Sequence, residues 1–274
     1  MSLSAHPVAP SLGTSIWARL EAELDAWAAA GHTARFWWRD DDATEPTAAL
    51  DRLLALAGTV PLALAVIPDR ATGQLARRLG NAGNVTVLQH GIAHLNLAPP
   101  GAKKAELGTA RTATMLANAL GTARRRLEAL FGSQFRPVLV PPWNRIADDL
   151  LPLLPLAGFV GLSTAGPRRT IEAAPGLRQV NAHIDPVDWH GTRRCRPVAD
   201  LVDETVRALA QRRLALAEDR SAEEPLREDG EPIGLLTHHL LDDAETERFT
   251  ADLAAMIRQH PSAAWTGVRE IWPP

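Results

Sequence analysis

The chain has 274 residues, a length that suits one large α/β domain or two small ones, and its 46% hydrophobic content is enough for a sizeable core. A formal net charge of −3, without any basic block, argues against a dedicated nucleic-acid binder. The single cysteine excludes an intramolecular disulfide, residues 1–16 show no signal peptide, and no apolar run reaches the roughly 20 residues that span a bilayer, so we expect a cytoplasmic protein without a membrane span.

Short apolar runs alternate with helical patterns along the chain, after an opening helix predicted at about residues 15–30. Seven strands are predicted, at Arg35–Arg39, Leu62–Ile67, Val85–Gln89, Pro137–Val140, Val160–Ser163, Gln179–His183 and Ile233–His238. Helices are predicted at Thr47–Leu56, Gly73–Leu79, Thr112–Leu130, Ala147–Leu154, Val198–Ala217 and Ala244–His260. This order predicts a mostly parallel α/β sheet, closed into a barrel or open, in a single domain of residues 1–274 with a core at about 34–274.

Three consecutive carboxylates, Asp40, Asp41 and Asp42, follow the first apolar run. Adjacent like charges repel, so a folded protein leaves such a triplet in water or neutralises it with a cation or with protons. Because residues 34–38 have the pattern of a buried strand, we expect these acids at the end of that strand. Active sites of α/β folds collect at such strand ends.

Two histidines, His90 and His94, follow the third predicted strand. In a helical turn this spacing points both imidazoles to one side and lets them share a metal. The same spacing also arises from a core histidine with a chance neighbour. Two histidines and one acid from a neighbouring strand are a recurring ligand set of catalytic metal sites, so the sequence favours a metal site here.

Polar residues follow three later strands. Pro141–Asn144 predicts a stiff loop that carries an aromatic residue. Asp185 and Asp188 predict either an Asp-Pro turn or carboxylates that hold a charged partner. His238 and His239 are adjacent on a predicted strand and therefore point opposite ways, so at most one of them faces a shared cavity.

Tryptophans flank these segments, which hints at a carbohydrate cleft because the indole face stacks on sugar rings. Trp37 and Trp38 lie within a predicted strand, so core packing is the better interpretation for both. Trp143 and Trp189 are the better candidates for substrate contact.

Five segments, in this order, resemble the motifs of the polysaccharide deacetylase family, the NodB-homology carbohydrate esterases of the family 4 type. The family motifs are T-F-D-D-G, H-[ST]-x-x-H, R-x-P-Y, D-x-x-D-W and L-x-H. The corresponding segments are Arg-Asp-Asp-Asp-Ala at 39–43, His-Gly-Ile-Ala-His at 90–94, Val-Pro-Pro-Trp at 140–143, Asp-Pro-Val-Asp-Trp at 185–189 and Leu-Thr-His at 236–238. The match spans roughly residues 34–240, and the ordered set is far more specific than any one motif.

The resemblance implies a distorted (β/α) barrel of about seven parallel strands that binds a divalent metal, with zinc as first expectation and Co, Ni, Mn or Fe as alternatives. His90 and His94 match the family's metal histidines, and His238 matches its catalytic acid. An oxyanion would be stabilised by the metal and by a backbone N–H near Trp143.

The acidic motif has two registers. If Ala43 stands for the family glycine, Asp41 is the general base and Asp42 the metal ligand. If Asp42 does, these roles move to Asp40 and Asp41. We prefer the first register because alanine departs less from glycine.

Further residues are expected to contact substrate or to support the site. They are Asp40, Trp143, Asn144, Asp185, Asp188, Trp189 and His239.

The chain departs from the family pattern at two positions of the third motif. The family arginine, which pairs with the catalytic aspartate, aligns with Val140, and Arg39, Arg136 and Arg145 are the candidates for the missing charge. Trp143 stands in place of tyrosine. Without an export signal, an intracellular sugar intermediate fits better than mature peptidoglycan or chitin.

The sequence therefore predicts a metal-dependent deacetylase that removes an N-acetyl group from an acetamido sugar, as a small molecule or an oligosaccharide. Two alternatives stay open: a hydrolase of a non-sugar amide on the same fold, and a carbohydrate-binding barrel that has lost catalysis. The sequence does not indicate an oligomeric state.

Overall fold

A mostly parallel β-sheet organises the chain in the computed structural model, which describes residues 14–219 and 230–273. The strands in these residues are β1 (Ala34–Ala43), β2 (Leu62–Val66), β3 (Val85–His90), β4 (Phe135–Val140), β5 (Gly161–Leu162), β6 (Glu172–Ala174), β7 (Leu177–Gln179), β8 (Ile233–Thr237) and β9 (Ala263–Trp265). The α-helices are α1 (Thr14–Ala29), α2 (Ala48–Ala57), α3 (Gly73–Leu79), α4 (Ala113–Phe131), α5 (Val198–Asp219), α6 (Ala244–Gln259) and α7 (Val268–Ile271).

The sheet runs in the order β6-β7-β5-β4-β3-β2-β1-β8, and β9 adds to the start of β1. Its two ends approach each other because the chain that follows β7 passes alongside β8. Ile184 and Leu235 form a parallel bridge there, and the N–H of Leu236 donates to the carbonyl of Ile184 at 2.8 Å. The predicted fold class, an α/β barrel of distorted form, is confirmed.

Helices cover the outer face of the sheet, and their starts follow from capping residues. The side chains of Thr47, Thr72, Thr112 and Asp243 each accept a hydrogen bond from a backbone N–H in the first turn of the helix that follows. Apolar side chains of the helices pack against outward residues of the strands, such as Trp38, to form the largest core cluster.

The inner face of the sheet is filled by a second cluster, in which two tryptophans meet. Trp37 and Trp272 pack edge to face with centroids 5.6 Å apart, and Trp37 is 1% exposed. Gly161 and Gly234 leave room for these rings, since a Cβ at either position would lie within 2.5 Å of an indole nitrogen. The predicted core packing of Trp37 and Trp38 is confirmed.

The structure also corrects several predicted elements. Residues 148–153 form a 3-10 helix rather than an α-helix, because the ring of Pro152, inside the segment, would clash in an α-helix with the carbonyl four residues before it. The antiparallel strand β6 and the short strand β9 were not expected from the sequence. The strand β1 extends to Ala43, whereas the predicted strand ended at Arg39. The three aspartates therefore lie within the last residues of the strand and not after it.

Residues 14–219 and 230–273 include no helix that is both long enough and apolar enough to cross a membrane. The organisation of residues 1–274 as one domain stays a prediction.

We predict that Gly234→Ala destabilises the fold by about 1–3 kcal/mol, the usual cost of overpacking a core. Its Cβ would lie 2.5 Å from Trp37 Nε1 and 2.6 Å from backbone atoms of residues 181 and 182, which cannot move aside. Urea unfolding measures the change. Gly83→Ala is the matched control, since nothing lies within 4 Å of its added Cβ, and equal stability of the two variants would contradict the prediction.

Candidate metal centre

The end of β1 directs two consecutive aspartates into one site. Side chains of a strand alternate between its faces, so Arg39 and Asp41 share one face and Asp40 lies on the other. The register with β2 then shifts between Asp40 and Ala43, and Asp42 has a φ of +74°, in the left-handed region that aspartate tolerates better than most residues. This β-bulge turns Asp42 to the side of Asp41.

Asp40 is held in the protein interior. Its Oδ2 accepts hydrogen bonds from the Thr237 hydroxyl at 2.7 Å and from the His239 N–H at 3.0 Å, and its Oδ1 lies 2.5 Å from His239 Nδ1. The side chain has no exposed surface. Asp40 and His239 therefore connect β1 with the chain that follows β8.

Asp42 meets both predicted metal histidines. Its Oδ1 lies 3.1 Å from His90 Nε2 and 3.3 Å from His94 Nε2, and the two imidazole centroids are 5.1 Å apart. Ligand atoms of the three residues all lie within 4.8 Å of one another. The structure thus brings together the three side chains that the first register of the acidic motif predicted.

The backbone between the two histidines differs from the helical turn that the spacing suggested. His90 ends β3, and residues 91–94 form an irregular turn in which Gly91 and His94 both have a φ of +58°. The carboxylate of Glu106 accepts hydrogen bonds from the N–H groups of Ile92, Ala93 and Leu95 in this turn. The expected helical turn is wrong, and no motif or spacing in the sequence marks Glu106 as part of this turn.

The donor atoms of Asp42, His90 and His94 fit a tetrahedral divalent ion. Bonds of about 2.0–2.1 Å place tetrahedral ligands about 3.3 Å apart, close to the separations of Asp42 Oδ1 from the two nitrogens. His90 Nδ1 lies 3.0 Å from the carbonyl oxygen of Val140, which can only accept, so Nδ1 carries a proton and Nε2 is the nitrogen that faces the site.

The electrostatics of Asp42 and His94 also suit ligands of a cation. Burial opposes ionisation of Asp42, but the hydrogen bond and charge of His90 outweigh it and hold the pKa of Asp42 well below its usual range. Burial, together with the charge of His90, lowers the pKa of His94 and favours the neutral imidazole that binds metals. For His90, the negative charges of Asp41 and Asp42 outweigh burial and raise its pKa.

Arg39 is the arginine that pairs with Asp41. Its Nε lies 3.0 Å from Asp41 Oδ1, and its Nη2 donates to Asp41 Oδ2 at 3.1 Å. Further hydrogen bonds from Arg39 reach the hydroxyl of Ser163, the carbonyl of Thr164 and Oδ1 of Asn144. The guanidinium is completely buried, so Arg39 supplies the charge that the position of Val140 lacks.

Arg136 and Arg145, the other two candidates, bond elsewhere. Arg136 donates to the carbonyl of Pro273, and Arg145 donates to the carbonyl of Lys104 at 2.8 Å.

Trp143 lies on the histidine side of the site. Its ring centroid is 4.4 Å from that of His94. Trp143 and Asn144 have φ values of +56° and +55°, in the left-handed region, which is unusual for a bulky residue such as tryptophan. Backbone strain of this kind is often found at functional sites. The predicted stiff loop thus presents Trp143 to the site, while Asn144 supports Arg39.

Trp189 and Asp185 surround His238, which follows β8. The rings of Trp189 and His238 pack edge to face with centroids 4.7 Å apart, and Trp189 Nε1 donates to Asp185 Oδ2 at 2.7 Å. Burial raises the pKa of Asp185, although the charge of His238 and the hydrogen bond from Trp189 oppose that rise.

Asp188 lies apart from this group. Its Oδ2 accepts hydrogen bonds from the N–H of Thr192 at 2.8 Å and from the Thr192 hydroxyl at 3.3 Å, in a turn at the surface. A contact of Asp188 with substrate stays a prediction.

His238 and His239 were expected on a strand, but β8 ends at Thr237. The two imidazoles nevertheless diverge, since His238 packs on Trp189 while His239 lies beside Asp40.

No family model matches the sequence, and the comparison with curated proteins finds no significant match. Solved structures do match. A protein assigned as a polysaccharide deacetylase from Mycobacterium smegmatis is 16% identical with a TM-score of 0.62, over 88% of this chain and 89% of that one. The Bc1960 peptidoglycan N-acetylglucosamine deacetylase is 14% identical with a TM-score of 0.51, over 90% and 95%. A mutant of a CE4 family pseudoenzyme with restored enzymatic activity is 15% identical with a TM-score of 0.53, over 88% and 68%.

At these identities the similarity establishes the fold. The chain has the polysaccharide deacetylase fold, in a divergent form, as the ordered motifs predicted.

We predict that Arg39→Met destabilises the protein by about 3–5 kcal/mol, because it leaves the Asp41 carboxylate buried without its partner. Urea unfolding measures this loss. The controls Arg136→Met and Arg145→Met remove guanidinium groups that do not touch Asp41, and we expect each to cost under about 1 kcal/mol. A loss from either control as large as that from Arg39→Met would contradict our assignment of the buried partner.

A second prediction concerns pH and Asp242, whose N–H and Oδ1 both bond the backbone of His238. Burial, helped by the charge of Asp40, raises the pKa of Asp242 to about 7. The native state therefore binds a proton that the unfolded chain releases near pH 4, and stability is lost as the pH rises towards 7.

Asp242→Asn should remove this loss, so its unfolding free energy should exceed that of the unmodified protein at pH 8 and approach it at pH 4.5. Denaturant titrations at the two pH values measure the difference. Asp252→Asn, which changes an exposed carboxylate on α6, should show no such pH dependence. A stability gain for Asp242→Asn that is the same at both pH values would contradict the prediction.

Proposed function

We propose that the chain is a metal-dependent hydrolase that removes an N-acetyl group from an acetamido sugar or sugar intermediate, as a divergent member of the polysaccharide deacetylase family. One observation carries the proposal. Asp42, His90 and His94 converge as a ligand set, and the buried Asp41 beside them is held by Arg39. A protein that only binds carbohydrate needs no such pairing of metal ligands with a separately held carboxylate.

Asp42, His90 and His94 would hold the divalent ion, with zinc as first expectation and Co, Ni, Mn or Fe as alternatives. When bound, such an ion polarises the acyl carbonyl and lowers the pKa of a coordinated water. The chain contributes a preorganised donor set. The contact of His90 Nδ1 with the Val140 carbonyl fixes the ring orientation and leaves Nε2 facing the other ligands.

Asp41 is the proposed general base that accepts the proton of the attacking water. Arg39 contacts both of its carboxylate oxygens, which fixes the plane of the carboxylate. Asn144 and Ser163 hold the guanidinium in turn. The base is therefore oriented by side chains from β1, from the loop after β4 and from the residue that follows β5.

His238 is the proposed acid that donates a proton to the departing amine. The edge-to-face contact with Trp189 orients the imidazole, and the hydrogen bond of Trp189 to Asp185 orients the indole. A backbone N–H near Trp143 is the candidate for stabilising the oxyanion, in line with the left-handed turn at that residue. The N–H groups of Asn144 and Arg145 already donate to the carbonyls of Pro141 and Pro142, so the N–H of Trp143 itself is the one proposed.

Trp143 and Trp189 are proposed to contact the sugar. Trp143 packs on a metal histidine and Trp189 on the proposed acid, so an aromatic side chain flanks the site beside each of these groups. The substrate would be a small molecule or an oligosaccharide. The cytoplasmic location, and with it an intracellular sugar intermediate as substrate, stays a prediction.

Two alternatives are tested by the same assay. Acetate release is measured with a panel of N-acetyl sugars, nucleotide sugars and non-sugar N-acetyl amides. Release from sugars supports the proposal, and release from the other amides alone indicates an amide hydrolase of different specificity. No release from a metal-loaded protein would favour the alternative that the chain only binds carbohydrate. Loss of catalysis also occurs on this fold, since one of the similar structures is described as a CE4 family pseudoenzyme.

We predict that the purified protein binds about one divalent ion per chain and that His94→Ala abolishes this binding, because it removes one of three ligands. Elemental analysis and zinc titration measure the stoichiometry. His190→Ala, which removes an exposed imidazole, is the matched control and should bind metal normally. A protein that takes up neither zinc nor cobalt would refute the proposed function.

His238→Ala should keep the metal and lose turnover, since His238 donates a proton but is not a ligand in this assignment. Metal content and acetate release, measured on the same sample, separate the two effects. Metal lost together with turnover would show that the role of His238 is assigned wrongly.

A further inference from the structure

The turn between the two metal histidines is held by a single buried carboxylate. Glu106 Oε2 accepts the N–H of Ile92 at 2.9 Å, and Oε1 accepts those of Ala93 at 2.9 Å and Leu95 at 3.1 Å. Glu106 is 3% exposed, so water does not compete for these donors. Three of the backbone N–H groups on either side of His94 thus converge on one side chain.

Gly91 shows how closely Glu106 approaches this turn. A Cβ at Gly91 would lie 2.2 Å from Glu106 Oε2 and 2.5 Å from Cγ of Pro142, and the φ of Gly91 is +58°. Only glycine fits both the conformation and the space. Gly91 thereby lets the Glu106 carboxylate and Pro142, at the start of the loop that carries Trp143, pack closely against the turn of residues 91–94.

Glu106 is itself anchored by the residues around it. Leu107 is fully buried and pairs with Ile146, and the N–H of Ala147 donates to the carbonyl of Leu107 at 2.8 Å. On the other side, Asn96 Oδ1 accepts the N–H of Ala105 at 3.1 Å. The carboxylate therefore projects from a fixed piece of backbone rather than from a free loop.

We propose that Glu106 is a positioning residue that preorganises His94, and so sets the affinity of the site for its metal. This inference rests on the proposed function, since it takes Asp42, His90 and His94 as the ligands. His94 lies in a left-handed conformation outside any helix or strand, so its place depends on hydrogen bonds to neighbouring N–H groups. The hydrogen bonds from the N–H groups of Ile92, Ala93 and Leu95 all go to Glu106. Among the hydrogen bonds described, none joins Glu106 to the side chain of a ligand.

The test compares zinc and cobalt affinity in the full chain and in Glu106→Gln. The amide can offer one oxygen where the carboxylate offers two, so at least one N–H of the turn loses its acceptor. We expect metal binding at unchanged stoichiometry but about 10–100-fold weaker, the range typical of residues that orient metal ligands. The visible absorption of the cobalt form should shift because the geometry of the ligands changes.

Glu231→Gln is the matched control. Glu231 is a buried carboxylate that accepts the backbone N–H groups of Arg168 and Asn181, just before β8 at the end of that strand opposite His238. It should lower stability without changing metal affinity. A loss of affinity in both variants would mean that the effect of Glu106 is a general loss of stability and would overturn the inference.

Hydrogen exchange of the metal-free protein gives a second measurement. It can be made at low temperature, where Glu106→Gln is folded even if the substitution lowers its stability. The amides of residues 92, 93 and 95 should exchange faster in the variant than in the unmodified chain, with the rest of the sheet unchanged. Unchanged exchange, or unchanged affinity, would overturn the role of Glu106 alone. An unmodified protein that binds no metal would instead refute the proposed function.

Discussion

The site depends on the β-bulge that ends β1. A regular strand would send Asp40 and Asp42 to one face and Asp41 to the other, which would separate any neighbouring pair of acids. The positive φ of Asp42 breaks this alternation at one residue and brings Asp41 and Asp42 to the same side. His90 at the end of β3 and His94 in the turn after it can then meet one carboxylate, while Arg39 holds the other.

Burial of charge at the end of β1 is tolerated because Arg39 and Asp41 pair with each other and Asp40 pairs with His239. Arg39 follows Trp37 by two residues and so lies on the same, inner face of the sheet. It hydrogen-bonds to Ser163 and Asn144 as well as to Asp41. The barrel thus changes from an aromatic interior to a polar end within two residues of one strand. Such a boundary lets a rigid core support groups whose charges would be costly without partners.

Much of this arrangement could be predicted from the sequence. Alternation of apolar runs and helices predicted a mostly parallel sheet and most of its strands, and the acid triplet, the histidine pair and the resemblance to the deacetylase motifs predicted that Asp42, His90 and His94 would lie together. The rest depended on contacts between residues distant in sequence. The choice among three arginines is decided by what a side chain can reach in space, and Glu106 has no spacing that marks it as a partner of the histidine turn. The 3-10 helix is different, since Pro152 was a visible signal against an α-helix.

The contact between Asp40 and His239 has a consequence for how this protein can diverge. Asp40 and Thr237 are register partners on adjacent parallel strands, and the residues that follow them, Asp41 and His238, are the proposed base and acid. One buried pair of side chains, together with the ladder between β1 and β8, therefore sets the spacing between the two proton-transfer groups. The loops that carry Trp143 and Trp189 help to orient the two side chains, through Asn144 and the Trp189 ring, but the separation of the backbone positions comes from β1 and β8. Selection can remodel the parts of these loops that face the substrate while β1 and β8 keep the proposed base and acid at the same separation.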